Sequence, residues 1–152
     1  MKPIQAMLVL AMAMPLGVAA QTPPPFKPGL GDLMTMTVQP RHAKLGLAGL
    51  EKNWAYAAYE VHELEEALEH VVKYVPKWRD LNIGQLMEAT TKQPIEALEA
   101  AIKAGDAAKF DAAYKQLTEG CNACHKSAKL PVIVIKAPDR SAFPNQDFAP
   151  VK

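Results

Sequence analysis

Apolar residues at Leu47, Leu50, Trp54, Ala57, Val61, Leu64, Leu68, Val71 and Val75 recur in alternating steps of three and four. That period lays them along one face of a helix, and a stripe of this length has to be covered by other elements. Neither Gly nor Pro interrupts residues 50–75 and Pro76 ends the segment, so one long first helix is expected to run unbroken to about Val75. Two starts are open for it. Asp32 could cap a helix kinked at Pro40, or Pro40 could be the first helical residue.

Downstream, residues 77–82 read as a turn, and Ile83, Leu86 and Met87 mark a short second helix. Pro94 is expected to open a third, with Ile95, Leu98 and Ile102 inward and Gly105 as its stop. Asp106 then caps a fourth, where Phe110, Ala113, Leu117, Cys121 and Cys124 again alternate threes and fours. After Ser127 the helical pattern fades. Residues 130–135 are β-branched with Pro131 among them, which suits an edge strand or extended cover. The expected fold is all-α: a four-helix-bundle-like domain over residues 32–129 with one long first helix, followed by a short extended C-terminal tail over 130–152. Pro23, Pro24, Pro25 and Pro28 make residues 21–31 an extended linker in front of it.

The first twenty residues read differently. Lys2, an apolar run from Ala6 to Met14 and small residues at Val18 and Ala20 follow the order of a secretory signal peptide cut after Ala20. The run is too short for the ~20 residues that span a bilayer, so no membrane anchor is expected in the mature chain. Loss of Lys2 with this leader brings the seventeen Lys and Arg to parity with the sixteen Asp and Glu. A neutral chain lacks the basic footprint of a nucleic-acid binder.

Two cysteines in an exported chain would ordinarily suggest a disulfide. Here the run is Cys121-Asn122-Ala123-Cys124-His125, the pattern by which haem is attached. Haem c is held by thioether bonds from two sulfurs to vinyl groups on adjacent pyrrole rings, so the sulfurs must lie one helical turn apart on one side, as residues i and i+3 do. His125, four residues after Cys121, projects from the same face and can reach the iron with one imidazole nitrogen. Its other nitrogen is expected to donate to a backbone carbonyl or water, which sets the tautomer. Zinc would need a second pair of ligands, a thioredoxin-like dithiol a βαβ setting, and a disulfide between i and i+3 of a helix has poor geometry. The motif therefore implies one covalently attached haem c, with Cys121 and Cys124 as thioethers and His125 as axial ligand. Covalent haem is installed outside the cytoplasmic membrane, which agrees with export to the periplasm.

With this motif at the end of the last of four helices, the chain resembles the cytochrome c-prime family and related four-helix-bundle monohaem cytochromes. Arg41-His42-Ala43-Lys44-Leu45-Gly46-Leu47 resembles the Arg-containing start of that family's first helix. The unbroken first helix expected here departs from the family, which divides this length between two. Asn53-Trp54, Ala57-Ala58-Tyr59-Glu60 and the tail Pro144-Asn145-Gln146 with Phe148 are similar to small bacterial cytochromes of the periplasm. The resemblance implies a haem protein of the periplasm and no settled role; a redox protein partner is expected for it, and a homodimer is left open.

Function then depends on the position opposite His125. In an up-down-up-down bundle the end of the fourth helix lies near residues 34–47. Met36, eleven residues before Leu47, would share the core face if the helix starts near Asp32. His42 is the other candidate sixth ligand, although it sits off the main stripe. Leu47 occupies the place that resembles the family's apolar distal residue, which would leave the iron five-coordinate. His62 and His70 flank the stripe, and Glu60, Glu63, Glu65, Glu66 and Glu69 read as a solvated face. A filled sixth position implies a periplasmic electron carrier and no enzyme. A vacant one implies a protein that binds NO or CO.

Overall fold

The structure, a computed structural model, describes residues 25–151; the expected signal peptide and the first residues of the linker lie outside them. Its helices are α1 (Leu30–Leu33), a π-helical turn (Met34–Val38), α2 (Gln39–Leu50), α3 (Trp54–Tyr74), α4 (Ile83–Ala104) and α5 (Ala107–Ser127). The first three run on from one another, so the bundle has four long rods. α3 packs against α2 and α4, and α5 packs against α4 and α2. Leu45, Leu64, Val71, Leu98, Phe110 and Leu117 fill the centre. Between α3 and α4, the expected turn is a two-stranded antiparallel hairpin, β1 (Lys77–Trp78) and β2 (Leu81–Asn82).

The helix expected to run unbroken to Val75 is two helices. After Leu50 the Asn53 N–H donates to the Ala48 carbonyl and the Lys52 N–H to the Gly49 carbonyl, with Lys52 in the left-handed region at φ 52. These are the paired bonds of a Schellman stop, built on a lysine in place of glycine. Asn53 then caps α3, its Oδ1 accepting from the Tyr56 N–H at 3.2 Å. Leu50, assigned to the buried stripe, is exposed as a result. The break brings the chain closer to the division into two helices noted above.

Pro94 corrects the expectation in the opposite direction, because it lies inside α4 instead of opening a helix. A proline within a helix removes the bond to the carbonyl four residues back, here that of Thr90. Gly120 of α5 closes on this freed carbonyl, and a Cβ at Gly120 would overlap the Thr90 oxygen. The approach seats α5 on α4 immediately before Cys121. Gly120→Ala should therefore force the two helices apart and destabilise the protein by roughly 1–3 kcal/mol, the range for overpacking. Urea unfolding checks it, and a change of only a few tenths would show that the helices separate freely.

On the other side of α5, Gly46 and Gly49 leave room for the Tyr114 and Phe110 rings to lie against the backbone of α2. The pairs Gly49 with Phe110 and His42 with Tyr114 and Thr118 run in opposite numerical order, so α2 and α5 are antiparallel. The start of the first rod thus meets the end of the last.

Glu60 is not part of a solvated face. It is fully buried on α3, 3.3 Å from Arg41 Nη1, while Arg41 Nη2 lies 2.7 Å from Glu63. The carboxylate inside the bundle is tolerated because the guanidinium comes with it.

Candidate cofactor site

The first rod begins at Gly29, whose N–H donates to the Asp32 carboxylate at 2.9 Å. Of the two starts considered, the one near Asp32 holds, and Pro40 acts inside the rod. Pro40 has no N–H for the Met36 carbonyl, and its ring would clash with it. The turn before it widens, with the Gln39 N–H donating to Met34, five residues back. Thr37 Oγ1 donates to the Leu33 carbonyl at 2.6 Å within the same turn.

This widening decides which side chains face α5. In a regular helix of 3.6 residues per turn, steps of four drift around the axis. The π turn takes up that drift, and Leu30, Met34, Val38 and His42 line one cavity. Met36 is carried to the other side, where it is 69% exposed. On the first rod Met34, not Met36, is the methionine that lines the cavity. Leu47 is buried in the bundle and does not line the cavity. His62 and His70 lie outside it as well.

The cavity has a volume of ≈ 260 Å³. Cys121, Cys124 and His125 of α5 form one wall, and Ile83, Met87 and Thr91 of α4 form another. Leu130, Ile133 and Ile135 of the tail close the third side. Both cysteines are free thiols. Burial pushes the Cys121 thiol up to about 11, with the neighbouring Cys124 adding to the effect, and burial raises Cys124 too. Thiols held protonated in this way lack the activation of a redox dithiol, which needs a lowered pKa. Among the described residues no three His, Cys, Asp or Glu side chains converge as a metal-ion site would require.

The tail is placed by the end of α5. The Leu130 N–H donates to the His125 carbonyl and the Lys129 N–H to that of Lys126, with Lys129 at φ 59: a second Schellman stop on a lysine. The chain doubles back and runs extended, without pairing as a strand. His125 Nδ1 lies 3.1 Å from the Ile133 carbonyl. A carbonyl can only accept, so Nδ1 carries the proton, and in the neutral ring Nε2 is then the nitrogen with the free lone pair. Further on the tail crosses the bundle to α3, where Phe148 stacks on Tyr56 at 5.4 Å between ring centres. Asn53 Nδ2 donates to the Phe148 and Ala149 carbonyls, each at 3.1 Å.

His42 is 4% exposed, well inside the bundle despite its place off the stripe. Its Nε2 lies 3.0 Å from Thr118 Oγ1 and its Nδ1 3.1 Å from the Tyr114 hydroxyl. Tyr114 can also donate to the His42 carbonyl at 2.8 Å, and Thr118 to the Tyr114 carbonyl at 2.9 Å. Two proton arrangements satisfy this group. In one, Nδ1–H donates to Tyr114, Tyr114 to the His42 carbonyl, and Thr118 to Nε2. In the other, Nε2–H donates to Thr118, Thr118 to the Tyr114 carbonyl, and Tyr114 to Nδ1. Either way the ring is neutral with both nitrogens engaged. Burial agrees, lowering its pKa from 6.5 to about 4.

The three residues of the Cys-x-x-Cys-His motif thus share one largely apolar cavity with a methionine that sequence reasoning passed over. Its signal was present in the four-residue spacing from Leu30 to His42, which differs from the threes and fours of α3. No protein family, curated protein or solved structure matches the chain.

Proposed function

We propose that the chain is a monohaem c-type cytochrome that carries electrons in the periplasm. The observation that carries this reading is that Cys121, Cys124 and His125 line one cavity, with the His125 Nδ1 proton given to a backbone carbonyl. These residues fit haem c. The two cysteines are three apart on α5 and would supply the thioethers, and the His125 Nε2 lone pair would serve the iron. Haem, when bound, carries one electron by passing between its ferric and ferrous states.

The protein's part is to bind, orient and exclude water. Leu30, Val38, Ile83, Met87 and Leu130 line the cavity with apolar surface that would receive the porphyrin, and the Schellman stop after His125 turns the chain back along the cavity. Met34 stands on the cavity wall contributed by the first rod and is the proposed sixth ligand in place of Met36. His42 is disfavoured because iron would have to take a nitrogen from Thr118 or Tyr114. Export, a redox partner and the leader over residues 1–20 belong to the same reading. Among the described residues no helix is long and apolar enough to cross a membrane.

The protein purified from a periplasmic fraction should hold one haem that survives acid-acetone extraction. Changing Cys121 and Cys124 to Ala should release it. Loss of haem from the unaltered protein on extraction would sink the proposal.

A further inference from the structure

Asn122, between the two cysteines, has no part in the function proposed above, yet both its amide nitrogen and its amide oxygen are hydrogen-bonded. Nδ2 donates to the Ile135 carbonyl at 2.9 Å, and Oδ1 accepts the Ile135 N–H at 2.8 Å. A single amide therefore makes with Ile135 the two bonds that a neighbouring strand would make. Ile133, two residues earlier on the same extended segment, presents its carbonyl to His125 Nδ1 at 3.1 Å. The match is geometric. Asn122 and His125 are three apart on α5 and so neighbours on its surface, and residues two apart on an extended chain face the same way.

Within the segment the Ile133 N–H also donates to the Leu130 carbonyl at 3.1 Å. Val132 and Val134 are 85% and 64% exposed, so burial gives little hold there. The Schellman bonds fix the segment at Leu130, and the Asn122 amide fixes it at Ile135. The Ile133 carbonyl lies between these two points. We infer that Asn122 is a positioning residue: it latches the C-terminal segment so that the Ile133 carbonyl stays on His125 Nδ1 and sets the electron-donating strength of that histidine. This rests on the haem reading. An imidazole whose Nδ1–H is given to a carbonyl is the more basic ligand, and a more basic ligand favours the ferric state. The latch therefore lowers the reduction potential, and releasing it raises the potential.

The test uses the full-length holoprotein. Asn122→Ala removes the amide, and Ile135→Pro removes the N–H that the amide accepts from a site outside the attachment motif. Each should raise the potential measured by spectroelectrochemistry and speed hydrogen exchange at His125 Nδ1–H, with haem content at the wild-type level. The double variant should shift no further than Asn122→Ala alone, since that amide carries both bonds of the latch. An unchanged potential and exchange rate in fully loaded variants would overturn the inference. If Asn122→Ala takes up no haem, Ile135→Pro decides alone. If the unaltered protein proves to hold no covalent haem, the functional reading fails with it; hydrogen exchange at the Ile135 N–H still reads the latch. Faster exchange there in Asn122→Ala supports the latch, and equal protection refutes it.

Discussion

On the haem reading proposed above, ferrous protein carrying Met34→Ala should bind CO rapidly and stoichiometrically, whereas the unaltered protein and Met36→Ala should resist it. Met34 lines the same cavity as Cys121, Cys124 and His125, and Met36 lies on the opposite, exposed side of the π turn. Truncating Met34 removes the thioether of the first rod, while both nitrogens of His42 are engaged by Tyr114 and Thr118 and Met87, on the α4 wall, is packed into the core cluster. The reduction potential should fall as well, because a thioether ligand favours the ferrous state. An absorption spectrum of the reduced protein with and without CO reads the outcome. CO binding by the unaltered protein would mean a vacant site and move the function to binding of small gases. Resistance that survives Met34→Ala and disappears in His42→Ala would assign two histidine ligands and refute the choice of methionine.

Acid should cost the protein about 3 kcal/mol of stability through His42 alone, as 1.36 kcal/mol per unit applied to its lowered pKa gives. In the unfolded chain the ring takes up a proton near pH 6.5; in the fold burial delays this to about 4. Between those values the unfolded state binds more protons. The stabilisation is complete above about pH 6.5 and drains away as the pH falls through 4. His42→Gln can still bond Thr118 and Tyr114 but does not titrate, so its stability should lack this step. Urea unfolding of both proteins at pH 7 and pH 4.5 measures it. Equal losses in the two proteins would show that His42 is not the group responsible.

What the sequence determined by itself was local. The inward faces of α3 and α5 follow from residues three and four apart, and the stop at Gly105 and the cap at Asp106 from chemistry within one turn. The run from Cys121 to His125 was legible for the same reason, as five consecutive residues on a helix. Four features were decided only by the tertiary structure.

Lys52 and Lys129 hold left-handed conformations that glycine usually takes, so nothing in their identity announced the helix ends, which the paired Schellman bonds close. Pro94 does not begin a helix because α5 approaches at Gly120 and seats itself on the carbonyl the proline leaves free. Glu60 could be read as a surface residue from its neighbours; it lies inside because Arg41, on another helix, is there to meet it. The choice of Met34 over Met36 has a local cause, the missing N–H of Pro40, but a face has meaning only against what it faces. That partner is the end of α5, eighty and more residues away in sequence and brought across the cavity by the bundle.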